Sequence, residues 1–215
     1  LTYYYYMNKE YTITLSGAEL KLLEDLILDY GNVVDFTMIS NKIGKNKSKQ
    51  EIKNIISRLT KKGWLVRIKR GVFVISDISS RGSINLNQVT IAQIIDKKSY
   101  VSFEGSLQYH GMFDQYLKII TSVGLKRSYQ KKVSNWIFKY VKSKKGLFND
   151  FKECNIDGQL VKIADKEKAM LDILEYKREF YSVDLVMEKL RDYLGDIDIK
   201  KLIGMSKKYS LTTKR

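Results

Sequence analysis

The chain has 215 residues and contains no proline, one cysteine and one histidine. Average usage would place about eleven prolines in this length, so its turns fall to Gly, Asn, Asp and Ser. A lone Cys154 cannot close an internal disulfide, which fits a reducing cytoplasm. With His110 as its only companion, a structural zinc site of Cys/His type is excluded, and no metal or cofactor is expected. No apolar run approaches the roughly 18 residues of a membrane-spanning helix, so no membrane partner is expected. The opening LTYYYYMNKE lacks the apolar stretch of a signal peptide. Because residue 1 is Leu, translation is expected to begin at a non-standard codon or at Met7. Neither a P-loop nor G-x-G-x-x-G is present.

Acid is scarce relative to base. Lys and Arg number 39 against 24 Asp and Glu, a formal net charge of +15, while 44% hydrophobic residues are enough for a folded core. An excess of this size points to a polyanionic partner: DNA, RNA or an anionic membrane.

The N-terminal third narrows the choice. Residues 16–30 predict a helix: Ser16 and Glu19 form the S-x-x-E capping box, and Gly31 is a natural stop. Leu20, Leu23, Ile27 and Tyr30 recur at helical spacing and are expected to form its buried face. Asp35 caps a short second helix over 36–43. After a turn at 44–47, Ser48 and Glu51 form a second capping box and open a third helix. There Ile52, Ile55, Ile56 and Leu59 share one face. At 100° per residue, Gln50, Asn54, Ser57 and Lys61 fall opposite, with Lys53 and Arg58 beside them. Gly63 ends the helix. The segment GWLVRIKRGVFVI, residues 63–75, reads as a hairpin with Lys69-Arg70-Gly71 at its tip.

Helix, short helix, turn, helix and hairpin in this order make a winged helix-turn-helix. In such a unit the third helix enters the major groove and the hairpin lies along the backbone or minor groove. Residues 42–70 carry eleven cationic side chains and a single acid, Glu51, a balance of +10. Duplex DNA needs its positive charge concentrated in this way, because released counterions drive affinity. The expected DNA-binding residues are Lys47, Lys49, Gln50, Lys53, Asn54, Ser57, Lys61, Arg67, Lys69 and Arg70. Among them Gln50, Lys53, Asn54 and Ser57 are expected in the major groove, where Gln50 and Asn54 are able to pair with adenine, and Lys47, Lys49, Lys61, Lys69 and Arg70 are expected to contact phosphate.

Past a polar linker at 77–83 the pattern mixes helices and strands. Helices are expected near 87–95, 104–110, 166–176, 183–194 and 197–206, and strands near 100–102, 117–123 and 135–141. A hairpin is expected around Asp157-Gly158, and a frayed basic tail at the end. The expected fold class is α+β: a winged helix-turn-helix over 1–78, then a mixed α/β domain over 84–215. Residues 118–145 hold nine cations and no acid, interleaved with Tyr129, Trp136, Phe138 and Tyr140. The aromatics read as strand core; the lysines read equally as a second nucleic-acid contact or as a solvated surface.

Several ordered motifs look familiar: SYVSFEGSLQYHGM, KIITSVGLKRSYQ, NWIFKYV, DGQLVKIADKEKAMLDIL and the wing GWLVRIKRGVFVI. Over roughly residues 15–178 the chain resembles the AbiEi family of type IV toxin–antitoxin antitoxins and related transcriptional regulators. Where the family usually has proline, this chain has Lys166. The resemblance implies a winged helix that binds repeats in its own promoter and represses the operon. It also implies a C-terminal domain opposing a nucleotidyltransferase-like toxin, functionally rather than in a stable complex.

Enzymatic readings fare worse. His110, beside Tyr109 and Gly111, is expected to be packed and hydrogen-bonded rather than catalytic. A Mg²⁺-dependent nuclease would need clustered carboxylates beside a lysine. Asp96-Lys97-Lys98, Glu51-Ile52-Lys53 and Asp198-Ile199-Lys200 match only the acid–lysine spacing. Asp165, Glu167 and Asp172 are explained by capping and solvation of one helix. The expectation is therefore a cytoplasmic, non-enzymatic, sequence-specific binder of double-stranded DNA, an autorepressing antitoxin-type regulator without cofactor. A homodimer is compatible with reading repeats. The alternatives are an antitoxin interaction module that neutralises the toxin, and the nuclease.

Overall fold

The structure, a computed structural model, describes residues 15–44, 46–76, 82–177 and 179–214. Most of the linker, Lys45 of the turn and the N-terminal tyrosines lie outside the described residues. The chain divides into two compact units between Asn85 and Leu86.

The first unit runs α1 (Gly17–Tyr30), β1 (Val33–Asp35), α2 (Phe36–Ile43), α3 (Lys49–Lys61), β2 (Leu65–Lys69) and β3 (Val72–Ile75). Both capping boxes form. Ser16 and Glu19 close α1 reciprocally, and Ser48 and Glu51 do the same for α3. Asp35 caps α2 by accepting from the Met38 N–H at 2.9 Å. The three strands pair antiparallel in the order β1-β3-β2. At the hairpin tip Gly71 has φ 74°, a left-handed conformation that glycine adopts without Cβ strain. Its carbonyl accepts from the Phe36 N–H at 2.9 Å, tying the wing to the start of α2. Leu23, Leu26, Ile39, Ile52, Ile56, Leu59, Leu65 and Phe73 form the core.

Two expectations fail here. The buried face of α1 is Glu19, Leu23 and Leu26, whereas Leu20, Ile27 and Tyr30 are exposed. Helix α1 carries apolar residues around most of its circumference, so spacing alone could not pick the buried side. Strand β1, three residues long, was not expected.

The second unit runs α4 (Gln88–Ile95), β4 (Ser99–Val101), α5 (Phe103–Tyr109), β5 (Ile119–Gly124), β6 (Tyr129–Val133) and β7 (Trp136–Lys142). It continues with β8 (Phe151–Ile156), β9 (Gln159–Ala164), α6 (Lys166–Tyr176), α7 (Phe180–Asp192), α8 (Ile199–Ser206) and α9 (Leu211–Lys214). Its six-stranded sheet has the order β6-β7-β5-β4-β9-β8, parallel at β5/β7 and β4/β9 and antiparallel elsewhere. Tyr140 donates to the Ala92 carbonyl at 2.8 Å, placing α4 on one face. Tyr100 and Val123 sit opposite one another on β4 and β5 and pack with Phe103 and Leu107 of α5 and Met170 and Ile173 of α6 on the other. Strand β6, sequence YQKKV, was not expected, because two lysines break its apolar alternation. Phe138 and Tyr140 are buried, so these strand aromatics are core.

Helix α6 holds the end of the chain through polar groups. The Lys168 Nζ donates to Asp172 Oδ1 and to the Leu147 carbonyl, each at 2.7 Å, and to the Tyr209 hydroxyl. Asp172 Oδ2 accepts from Ser102 at 2.7 Å and from Tyr100 at 3.0 Å. Glu167 accepts from the Asp198 N–H, and Glu175 from the Ser210 N–H and the Thr213 hydroxyl. Lys168 and Asp172 are fully buried and Glu167 is nearly so, which corrects the expectation that Asp172 and Glu167 are solvated. Burial pushes the Asp172 carboxyl above its ordinary range, against the pull of the Lys168 ammonium and the two hydroxyls. Asp165 occupies the N-cap position of α6, but its side chain makes no cap hydrogen bond and pairs with Lys201 at 2.5 Å. The expected frayed tail is also corrected. Residues 211–214 are helical, with Thr213 buried against Glu175.

Candidate nucleic-acid interface

The third helix and the wing place most of the expected residues together. Gln50, Lys53, Asn54, Ser57 and Lys61 are exposed along α3, and Lys49 opens it. Arg67 is exposed on β2, Arg70 is exposed at the tip and Lys69 is half-buried beside it. A groove of about 620 Å³ runs between α3 and the wing, and Lys49, Lys53, Ser57, Lys61, Arg67 and Arg70 all line it. No acid lines it. Phe36, half-buried, and Ile56 and Phe73, both buried, also line it and form its floor. Lys47 instead borders a separate groove with α1, whose lining includes Ala18, Leu22 and Ile55.

The two amides expected to read bases are not independent. Gln50 Nε2 donates to Asn54 Oδ1 at 3.0 Å, one helical turn apart, which orients both side chains on the exposed face. The Asn54 amide hydrogens and the Gln50 oxygen stay available to a third group.

The field is smaller than a count of cations suggests. Arg58 and Lys62 both pair with Glu19 of α1, at 2.6 and 2.8 Å. Lys42 pairs with Asp29 at 2.5 Å. Arg58 is therefore a brace between α1 and α3, although the helical wheel places it beside the exposed amides. By contrast, Lys49, Lys53, Lys61, Arg67 and Arg70 form no ion pair with any described residue.

Glu19 is 5% exposed. Burial alone would raise its carboxyl, but hydrogen bonds from Lys62, the Ser16 N–H and Arg58 outweigh that and hold it at about 2. A carboxyl depressed on folding contributes stability above its unfolded value, and that stability is lost as pH falls toward the folded one. Glu19→Gln is therefore expected to cost the first unit about 2–3 kcal/mol at pH 7, after discounting for the exposed Arg58. The difference between variant and parent should shrink steadily from about pH 4.5 to pH 2. Denaturant titrations followed through Trp64 fluorescence in a Trp136→Phe background measure it. A pH-independent difference would mean that the carboxylate charge is not what matters.

The acids behind the nuclease alternative are occupied locally. Glu51 accepts from the Ser48 N–H at 2.7 Å, Asp96 from the Lys98 N–H at 3.0 Å and Asp198 from the Lys201 N–H at 2.9 Å. Among the described residues no three His, Cys, Asp or Glu side chains are grouped as a metal site would need. His110 Nε2 donates to the Ala164 carbonyl at 2.9 Å, the packed role expected of it. No helix among the described residues is long and apolar enough to cross a membrane.

Two helices, a turn, a third helix and a hairpin, cationic along the third helix and the hairpin, define a winged helix-turn-helix. Residues 21–76, most of that unit, match the model of the family described as transcriptional regulator, AbiEi antitoxin. No curated protein matches the sequence. Among solved structures, that of the RV2827C protein from Mycobacterium tuberculosis is similar with a TM-score of 0.65. The likeness spans 93% of this chain and 74% of that one at 11% identity, so the two share a fold.

Proposed function

We propose that this protein is a sequence-specific binder of double-stranded DNA that regulates transcription, and that it represses its own operon as antitoxin-type regulators do. The observation that carries the reading is the α3–wing face itself. Five cations that form no ion pair with a described residue line one groove, next to a hydrogen-bonded pair of exposed amides. Phosphate contacts from the groove fix register, and the amides at the front of α3 read base edges. The match of residues 21–76 to a family of transcriptional regulators supports it.

Asn54→Ala tests the base-reading half. It should cost about 1–3 kcal/mol on the cognate duplex and almost nothing on a scrambled one. Anisotropy titrations on both duplexes measure this. Equal weakening on the two would assign Asn54 to the backbone instead.

A second reading, neutralisation of a toxin, is favoured by α7. Phe180, Val183 and Met187 stand on one exposed side of that helix, with Phe180 83% exposed. Apolar stripes of this kind mark interaction surfaces. Co-expression of residues 86–215 with a nucleotidyltransferase encoded by the adjacent gene tests it. Rescue of growth supports the reading, and toxicity unrelieved by the full chain contradicts it.

A further inference from the structure

The groove between α3 and the wing has a floor that phosphate contacts do not need. Phe36, Ile56 and Phe73 line it with carbon, the last two buried, while the cations that line it are exposed. A phosphate gains nothing by losing water against carbon. A ligand with a flat apolar body and one negative charge is matched at both levels. The volume, about 620 Å³, lies within the roughly 300–1,000 Å³ common for small-molecule sites. Lys49, Lys53 and Lys61 face it from the helix and Arg67 and Arg70 from the wing, with no acid among them. A guanidinium is suited to a carboxylate because it can donate two parallel hydrogen bonds.

We infer that this groove is a binding site for a small aromatic carboxylate, and that its occupancy displaces DNA. The first half stands on the groove alone. The second rests on the proposed function, because the cations that would hold the carboxylate are those that would hold phosphate. Two ligands sharing these cations exclude one another, and each lowers the other's apparent affinity by the same linkage. The protein is then a regulator that an organic acid releases from its operator.

The probe is 2-naphthoate, compared with 2-naphthamide, which has the same ring and no charge. Calorimetry on the full chain at low salt should show saturable binding of the acid, with the amide at least tenfold weaker. Ser57 lines the groove from an exposed position on α3, so Ser57→Trp fills the groove without entering the core. That variant should keep its circular dichroism and lose naphthoate binding at least tenfold. Naphthoate should also raise the apparent Kd of the bound duplex by the factor one plus its concentration over its own Kd. No saturable binding, equal binding of the amide, or binding unaffected by Ser57→Trp overturns the site. A duplex that stays bound at saturating naphthoate overturns the displacement. A duplex never bound even without naphthoate overturns the proposed function and the displacement with it, and the calorimetry then judges the site by itself.

Discussion

Replacing Lys168 with Met should destabilise the second unit by about 3–5 kcal/mol. Methionine fills much the same volume, so little is lost in packing. What is lost is the cation facing a fully buried carboxylate. Asp172 keeps the Tyr100 and Ser102 hydroxyls, but the Leu147 carbonyl and the Tyr209 hydroxyl lose their ammonium donor. A carboxylate left in a dry interior costs far more than an exposed ion pair contributes. Lys168→Met with Asp172→Leu should be closer to the parent than Lys168→Met alone, because removing both charges removes the uncompensated one. Urea denaturation of the two variants measures both statements. A loss under about 1 kcal/mol for Lys168→Met would mean that water reaches the network. Since Tyr209 belongs to this network, the single variant should also loosen residues 199–214, seen as faster amide exchange there.

The triple variant Lys61→Gln, Arg67→Gln and Arg70→Gln should bind DNA about 500-fold more weakly at 0.1 M salt. Each cation on a phosphate contributes about 0.9 to the slope of log K against log salt, or about eightfold at that concentration. Three such contacts give the expected loss, and the slope itself should flatten by about 2.7. All three residues are exposed, so the fold should survive. The loss should be nearly the same on cognate and scrambled duplexes, which separates these residues from Asn54. Unchanged affinity would place the phosphate contacts elsewhere, with the basic stretch of residues 118–145 as the next place to look. There Lys118, Lys126, Arg127, Lys132, Lys139, Lys142, Lys144 and Lys145 are exposed.

Features determined by near neighbours were legible in the sequence. Both capping boxes join residues three positions apart, and both formed. The faces of α3 follow from helical spacing because its apolar residues lie on one side only. The faces of α1 do not, since Leu20, Ile27 and Leu28 are apolar yet exposed. Short or lysine-bearing strands such as β1 and β6 give too little alternation to detect. Pairings between distant residues were invisible. Glu19 looked like a capping residue and nothing more, yet it also restrains Arg58 and Lys62, 39 and 43 positions away. Asp172 looked like a solvated helix acid because Tyr100, Ser102 and Tyr209 are 72, 70 and 37 positions distant. The candidate interface was legible as a set of cations on a helix and a hairpin. Its apolar floor was not, because Phe36, Ile56 and Phe73 come from three elements and each reads locally as core.

The central claim is that α3 and the wing recognise a particular duplex. Fluorescence anisotropy with the DNA upstream of the protein's own gene, against a scrambled duplex of equal length, at two salt concentrations, tests it most directly. A preference for the upstream DNA that persists at the higher salt is expected. Equal and steeply salt-sensitive binding to both duplexes, or binding to neither, would contradict it.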